Sequence, residues 1–473
     1  MSQPDFKPVL GWWDATMIVA GSMIGSGIFI VSADITRHVG SAGWLLAVWG
    51  ITGFMTITAA VSYGELSGMF PKAGGQYVYL KEAYNPLVAF LYGWSLFGVI
   101  QTGTIAAVGV AFAKFTAYLL PYFSEDNILF RIDAFSVSAG QMLSIGLIAM
   151  LTFVNSRGVE GGKRIQTFFT SVKLLSLFML IVFGLALSDK RVWNANWSDA
   201  WSLHALQSDG TFNAYTTFAA MGAVVSAMVG AIFSSDAWNN VTFIAKEIRN
   251  PQRNIGLSLF LGAAIVIVIY LLTNLMYTAV LPMPEIASAD KDRVAAAVAQ
   301  NILGDAGMLL IAVMIMISAF GCANGMILTG ARVLYTMAKD GLFFPQAGHL
   351  NRFAVPAKAL WIQFIAAGLL CVSGRYGDIL DMISFVVVIF YVLTIAGIFI
   401  LRKTRPEASR PYLAFGYPWL PGIYIIMGTA FCVFLILFKP AYTIFGLMIA
   451  LAGVPVYYRL IRSQKAAQTI ADP

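Results

Sequence analysis

The chain has 473 residues, of which 59% are hydrophobic and only 11% charged, and its formal net charge is +7. Soluble domains carry roughly 25% charged residues, so this composition excludes a soluble globular class and points to a membrane protein. The positive balance needs no nucleic acid partner if it sits in loops on one side of a bilayer.

Crossing about 30 Å of hydrocarbon as a helix takes roughly 20 apolar residues, and runs of that length recur along the whole chain. In chain order they predict spans at Ala15 to Ile35, Ala42 to Phe70, Leu87 to Phe112, Ala134 to Phe153, Ile165 to Leu187 and Thr216 to Ile244. Six more follow at Ile255 to Leu281, Met308 to Tyr335, Ala359 to Ser373, Ile379 to Leu401, Tyr417 to Leu437 and Tyr442 to Leu460. The runs are continuously apolar and lack the two-residue alternation of a transmembrane barrel, so the expected class is an all-α integral membrane protein of about 12 spans.

An even span number puts both termini on one side. The loops on that side hold twenty basic residues, among them Lys72, Arg157, Arg249 and Arg402, against nine in the opposite loops. That asymmetry predicts a multi-pass inner-membrane protein with both termini cytoplasmic. Met1 to Leu10 is polar and the first apolar run is too long for a signal-peptide core, so the first span is expected to stay. Cys322, Cys371 and Cys432 fall inside predicted spans without metal-ligand spacing, and His38, His204 and His349 read as loop residues. No phosphate-binding loop, nucleophile elbow or HExxH sequence is present. Neither an enzyme, a metal nor a cofactor is expected.

Two spans carry interruptions. The first contains Gly25-Ser26-Gly27 within GSMIGSGIF, Gly21 to Phe29. Gly21 and Gly25 also have the spacing of close helix packing, which stands as the alternative. The sixth contains Phe233-Ser234-Ser235-Asp236-Ala237-Trp238-Asn239-Asn240, a polar run in an apolar stretch. Backbone freed from a helix is tolerated in a membrane only where protein or a water-filled cavity satisfies it, and paired breaks in corresponding spans of two halves mark an inverted-repeat carrier. Exposed N–H groups favour an anion and freed carbonyls a cation, and an amino acid zwitterion offers both.

These residues resemble the amino acid-polyamine-organocation superfamily and, within it, the L-type amino acid transporter branch. The resemblance runs nearly end to end, through YGELSGMFPKAGGQYVYLKEAYNPLVAFLYGW from Tyr63, NSRGVEGGKRIQTFFTSVKLL from Asn155, FSSDAWNNVTFIAKEIRNPQRNI from Phe233, ARVLYTMAKDG from Ala331 and LRKTRPEASRPY from Leu401. It implies a LeuT-type 5+5 inverted repeat working by alternating access. The implied organisation is a cytoplasmic segment 1–14, a transport core 15–401 with halves at about 15–187 and 216–401, two peripheral helices in 402–460, and a cytoplasmic tail 461–473.

It also implies a substrate carboxylate at the backbone N–H groups of Gly25, Ser26 and Gly27, and an amino group at carbonyls of Met23, Phe233 and Asp236, with Ser234 beside them. Phe233 resembles the aromatic that covers such sites; an ordinary core residue is the alternative. Lys173 lies in an apolar run, where a central charge costs roughly 2.5–3.5 kcal/mol. In sodium-independent relatives a lysine there resembles a fixed substitute for sodium, with snorkelling as the alternative. Asp236 stands where L-type relatives usually carry glycine. It could face the amino group, attract a cationic side chain, carry a proton or pair with Lys173.

The extracellular loop after span three lacks the cysteine by which animal L-type carriers bond a glycoprotein, so no disulfide-linked partner is expected. Glu65, Glu247, Arg332 and Asp340 fall at cytoplasmic helix ends, as an inner-gate network or, for each singly, as snorkelling or capping residues, and Asp290 to Gln300 reads as a short external helix. The leading expectation is sodium-independent exchange of small neutral L-amino acids. Proton-coupled uptake, a cationic amino acid or polyamine substrate, and a membrane substrate sensor are the alternatives.

Overall fold

The apolar runs fold as long helices because backbone polar groups in hydrocarbon must be satisfied within the segment. The computed structural model describes residues 6–132, 135–206, 212–373 and 376–471. Its first ten helices are α1 (Trp12–Met23), α2 (Gly27–Val39), α3 (Ala42–Met69), α4 (Gln76–Ala83), α5 (Pro86–Ser95), α6 (Gln101–Leu119), α7 (Ala139–Ser156), α8 (Val159–Ala186), α9 (Lys190–Trp197) and α10 (Thr217–Ser234). The rest are α11 (Pro251–Val280), α12 (Met283–Ala287), α13 (Val294–Leu303), α14 (Asp305–Lys339), α15 (Ala357–Ser373), α16 (Tyr376–Thr404), α17 (Trp419–Phe438) and α18 (Pro440–Ala471). Two small antiparallel pairs, Ile128–Ile132 with Phe135–Ser138 and His204–Leu206 with Phe212–Ala214, join them.

Among the described residues ten stretches are long and apolar enough to cross a bilayer, and α1 with α2 forms an eleventh, bent by 44°. The 17-residue α15, a shorter apolar helix, lies where the ninth span is expected. The all-α expectation therefore holds, with local differences. Span three runs to Leu119, past the expected Phe112, and contains a π-helical turn at Leu96–Ile100 that joins α5 to α6. Span four starts later, at Ala139, because the preceding residues form a hairpin strand and the Ser138 hydroxyl accepts the Gln141 N–H to start the helix. His38 lies in the last turn of α2 rather than in a loop. The external helix is α13; Asp290–Asp292 ahead of it is a separate turn with Lys291 and Asp292 at positive φ.

Both expected breaks are present. α1 ends at Met23 and α2 begins at Gly27; α10 ends at Ser234 and a 3-10 helix runs from Trp238 to Glu247. The four pieces pack crosswise, α2 against α10 and α1 against the 3-10 helix, so the two breaks face one another inside a wall of α8, α11 and α14.

Candidate substrate site

At the first break the freed carbonyls each find a donor. Lys173 Nζ, 1% exposed, donates to the carbonyls of Gly21 at 2.6 Å and Ile24 at 2.7 Å. Cys322 Sγ donates to Ser22 O at 3.0 Å, and Ser318 Oγ lies 2.9 Å from Gly25 O and 3.1 Å from Ile24 O. Tyr270 Oη reaches Met23 O at 3.1 Å and Ser234 O at 3.0 Å, so one hydroxyl spans both breaks. The Gly25 N–H turns back to Met23 O at 2.9 Å. Among the described residues the N–H groups of Ser26, Gly27 and Ile28 have no acceptor, and they point from the N-terminus of a 13-residue helix, where an anion is favoured.

The glycines here do different work. A Cβ on Gly21 would lie 2.0 Å from Gln166 Nε2, and one on Gly27 would lie 2.1 Å from Ser234 Oγ and 3.2 Å from Ser234 Cα. Close packing thus accounts for Gly21 against α8 and for Gly27 against α10. Gly25 has more room, its nearest neighbour being Cys322 Sγ at 3.3 Å.

At the second break the chain turns through Ala237 at φ 65°, a left-handed conformation unusual for a residue with a side chain. Ser234 Oγ bonds Gly230 O at 2.8 Å, which makes Ser234 a packing partner of Gly27. Asp236 is half-buried and accepts a hydrogen bond from Tyr391 Oη at 2.5 Å. It forms no ion pair with Lys173, whose ammonium is engaged by carbonyls. The rings of Tyr63, Trp238 and Tyr391 pack edge-on or tilted beside it, 4.7 to 6.0 Å apart.

Phe233 is half-buried and lines a cavity of about 600 Å³ that runs along α2 past Ile30 and Val31 to Asp34 and Arg37. That is the end of the bundle away from the N-terminus. Arg37 ties α2 to the external segment there, bonding Asp292 at 2.6 Å and Ala287 O at 2.9 Å. The opposite end is tied by ion pairs. Arg332, fully buried, grips Glu247 through Nε at 2.8 Å and Nη2 at 3.2 Å. Glu65 holds Arg402 at 2.7 Å, and Asp340 takes Lys81 at 2.7 Å and Tyr77 Oη at 2.9 Å. The four charged motif residues thus form separate clusters. Glu65, Glu247 and Arg332 are buried, so snorkelling does not explain them.

A family model described as amino acid permease matches residues 10–460. The chain belongs to that family. The permease is 29% identical over 402 residues to the b(0,+)-type amino acid transporter 1 of Oryctolagus cuniculus, covering 83% of this chain and 76% of the relative. It is 29% identical over 475 residues to the large neutral amino acids transporter small subunit 2 of Homo sapiens, covering 98% and 83%, and 28% identical over 454 residues to the Asc-type amino acid transporter 1 of Mus musculus, covering 96% and 81%. The L-type resemblance and the amino acid transport class are therefore established for the permease.

Of the residues singled out from sequence, the structure gathers Met23, Gly25, Ser26, Gly27, Lys173, Phe233, Ser234 and Asp236 around the paired breaks. Sequence reading missed Tyr270, Ser318, Cys322 and Tyr391. A tyrosine or serine in an apolar run carries no signal of the distant carbonyl or carboxylate it meets.

Proposed function

We propose that this permease exchanges small neutral L-amino acids across the cell inner membrane without sodium, by alternating access, with both termini cytoplasmic. The observation that carries this reading is Lys173, whose ammonium joins the Gly21 and Ile24 carbonyls where a bound cation would otherwise be needed to neutralise the end of α1. The substrate carboxylate meets the unpaired N–H groups of Ser26 and Gly27, with Gly25 leaving the approach open. Its ammonium meets carbonyls of the second break at Phe233 and Asp236; the Met23 carbonyl already accepts Tyr270 and Gly25. Phe233 stands between this site and the large cavity, the entry route in this conformation.

The basic-residue asymmetry supports the orientation. The division into a core of 15–401 with halves 15–187 and 216–401, peripheral helices in 402–460 and terminal segments 1–14 and 461–473 accords with α17 and α18 lying against α16, α3 and α5.

Purified permease in liposomes tests the reading. Labelled small neutral amino acids should enter faster when unlabelled amino acid is inside, at a rate unchanged when choline replaces sodium. A steep sodium dependence would remove Lys173 from its assigned role, and indifference to internal substrate would remove exchange.

A further inference from the structure

The Asp236 side chain has no part in the binding scheme above. Its one hydrogen-bond donor from a side chain is the Tyr391 hydroxyl, and no Lys, Arg or His among the described residues pairs with it. The titratable groups packed around it are phenols: Tyr391 from α16, Tyr92 from α5, Tyr63 from α3 and Tyr424 from α17. The faces of α4, α6, α14 and the Trp238–Glu247 helix turned to it present uncharged side chains. A carboxylate drawn from water without a cation is costly, and uptake of a proton would relieve that cost.

Asp236 lines two cavities of about 20 Å³ each. One is lined by Thr52 and Ser235, the other by Gln101 and Asn240. Thr52 Oγ1, Ser235 Oγ and Asn240 Nδ2 are buried without any hydrogen-bond partner, on residues 1%, 1% and 3% exposed. A water molecule needs roughly 10–15 Å³ of such space and two or more polar neighbours. Each cavity meets that requirement, and neither has room for an alkylammonium group with its chain.

We propose that Asp236 and the two cavities it lines form a proton-binding site, in which one water in each cavity relays the proton and Thr52, Ser235 and Asn240 hold the waters. A hydronium proton relayed through one of these waters adds to the carboxylate oxygen not held by Tyr391: one O–H bond of the hydronium breaks, one forms on the carboxylate, and the product is a neutral carboxylic acid. The proton returns to water on the opposite side after the breaks rearrange. The coupling rests on the carrier reading above, whereas protonation is measurable without transport.

Infrared difference spectra of the purified permease, taken between mildly acidic and mildly alkaline buffer, are the first test. A carboxylic acid C=O band should appear on acidification, vanish in Asp236→Asn and shift in Ser235→Ala and Thr52→Ala. Asparagine still accepts from Tyr391, so the fold should survive. Identical difference spectra for wild type and Asp236→Asn would overturn the proposal. In liposomes, a pH gradient should drive accumulation of label in the wild type, and Asp236→Asn should lose that accumulation. A titrating band with exchange indifferent to the gradient would overturn the relay. An intact band in a protein that moves no amino acid would uphold the proton site and overturn the carrier reading.

Discussion

The two breaks look alike in sequence and differ in how completely they are satisfied. At the first, α8, α11 and α14 each send donors to the freed carbonyls from Gly21 to Gly25. At the second, Ser235 Oγ and Asn240 Nδ2 are buried and unpaired, Asp236 has a neutral phenol for a partner, and Ala237 is held in a left-handed conformation. Buried polar groups are normally bonded, and those left open collect where a ligand or a change of state supplies the partner. The first break is thus a fixed frame that aims its N–H groups, and the second is the side on which something has to arrive.

The comparison breaks most sharply at Lys173. Lys173→Ala removes the donor to two buried carbonyls and opens a void beside them. Ile24 O keeps Ser318 within reach, whereas the stranded Gly21 carbonyl should cost roughly 1–3 kcal/mol, and sodium-free exchange should fall to background because the frame for the carboxylate is lost. Thermal unfolding in detergent together with liposome flux measures both. Near-native stability with near-native flux would mean that the first break holds itself.

A smaller effect belongs to the hydroxyl that spans the breaks. Tyr270→Phe keeps the ring, which packs edge-on against Trp49 at 5.1 Å, and deletes only the bonds to Met23 O and Ser234 O. A neutral hydrogen bond is worth roughly 0.5–1.5 kcal/mol net, so stability should drop modestly. Substrate affinity should drop further than stability does, because Tyr270 fixes the distance between the two breaks. Equal affinity in calorimetric titration of the two proteins would show that the breaks are positioned independently.

What was legible in the sequence follows from the same contrast. Gly25-Ser26-Gly27, the polar run from Ser234 to Asn240 and the lone charge of Lys173 stand out because each violates the expected composition of a membrane helix. The donors from α11 and α14 did not, because hydroxyls and thiols are ordinary in such helices, and their partners lie 247 residues away in the case of Tyr270 and 300 in that of Cys322. Span positions were legible from hydropathy. The π-helical turn at Leu96–Ile100, the 3-10 geometry of Trp238–Glu247 and the packing of Gly27 on Ser234 were not, since they arise from neighbours rather than from local pattern.

The smallest expected effect is at Ala237, and it asks whether the second break is strained in its resting state. A non-glycine residue in the left-handed region costs roughly 1–2 kcal/mol, while exchanging alanine for glycine loosens the unfolded chain by roughly 0.4–1 kcal/mol. Ala237→Gly should therefore stabilise the permease by roughly 0.5–1 kcal/mol net, read as a higher thermal midpoint. Ala354, in a loop far along the chain at φ 59°, provides the control: Ala354→Gly should gain a similar amount and leave transport unchanged. If strain at the second break helps it rearrange, Ala237→Gly should gain stability and lose exchange rate together. Stability gained with exchange intact would show that the left-handed turn only shapes the chain. A loss of stability would show that the buried Ala237 methyl, 6% exposed against the Gln76 and Tyr391 cavity, contributes more by packing than its backbone costs by strain.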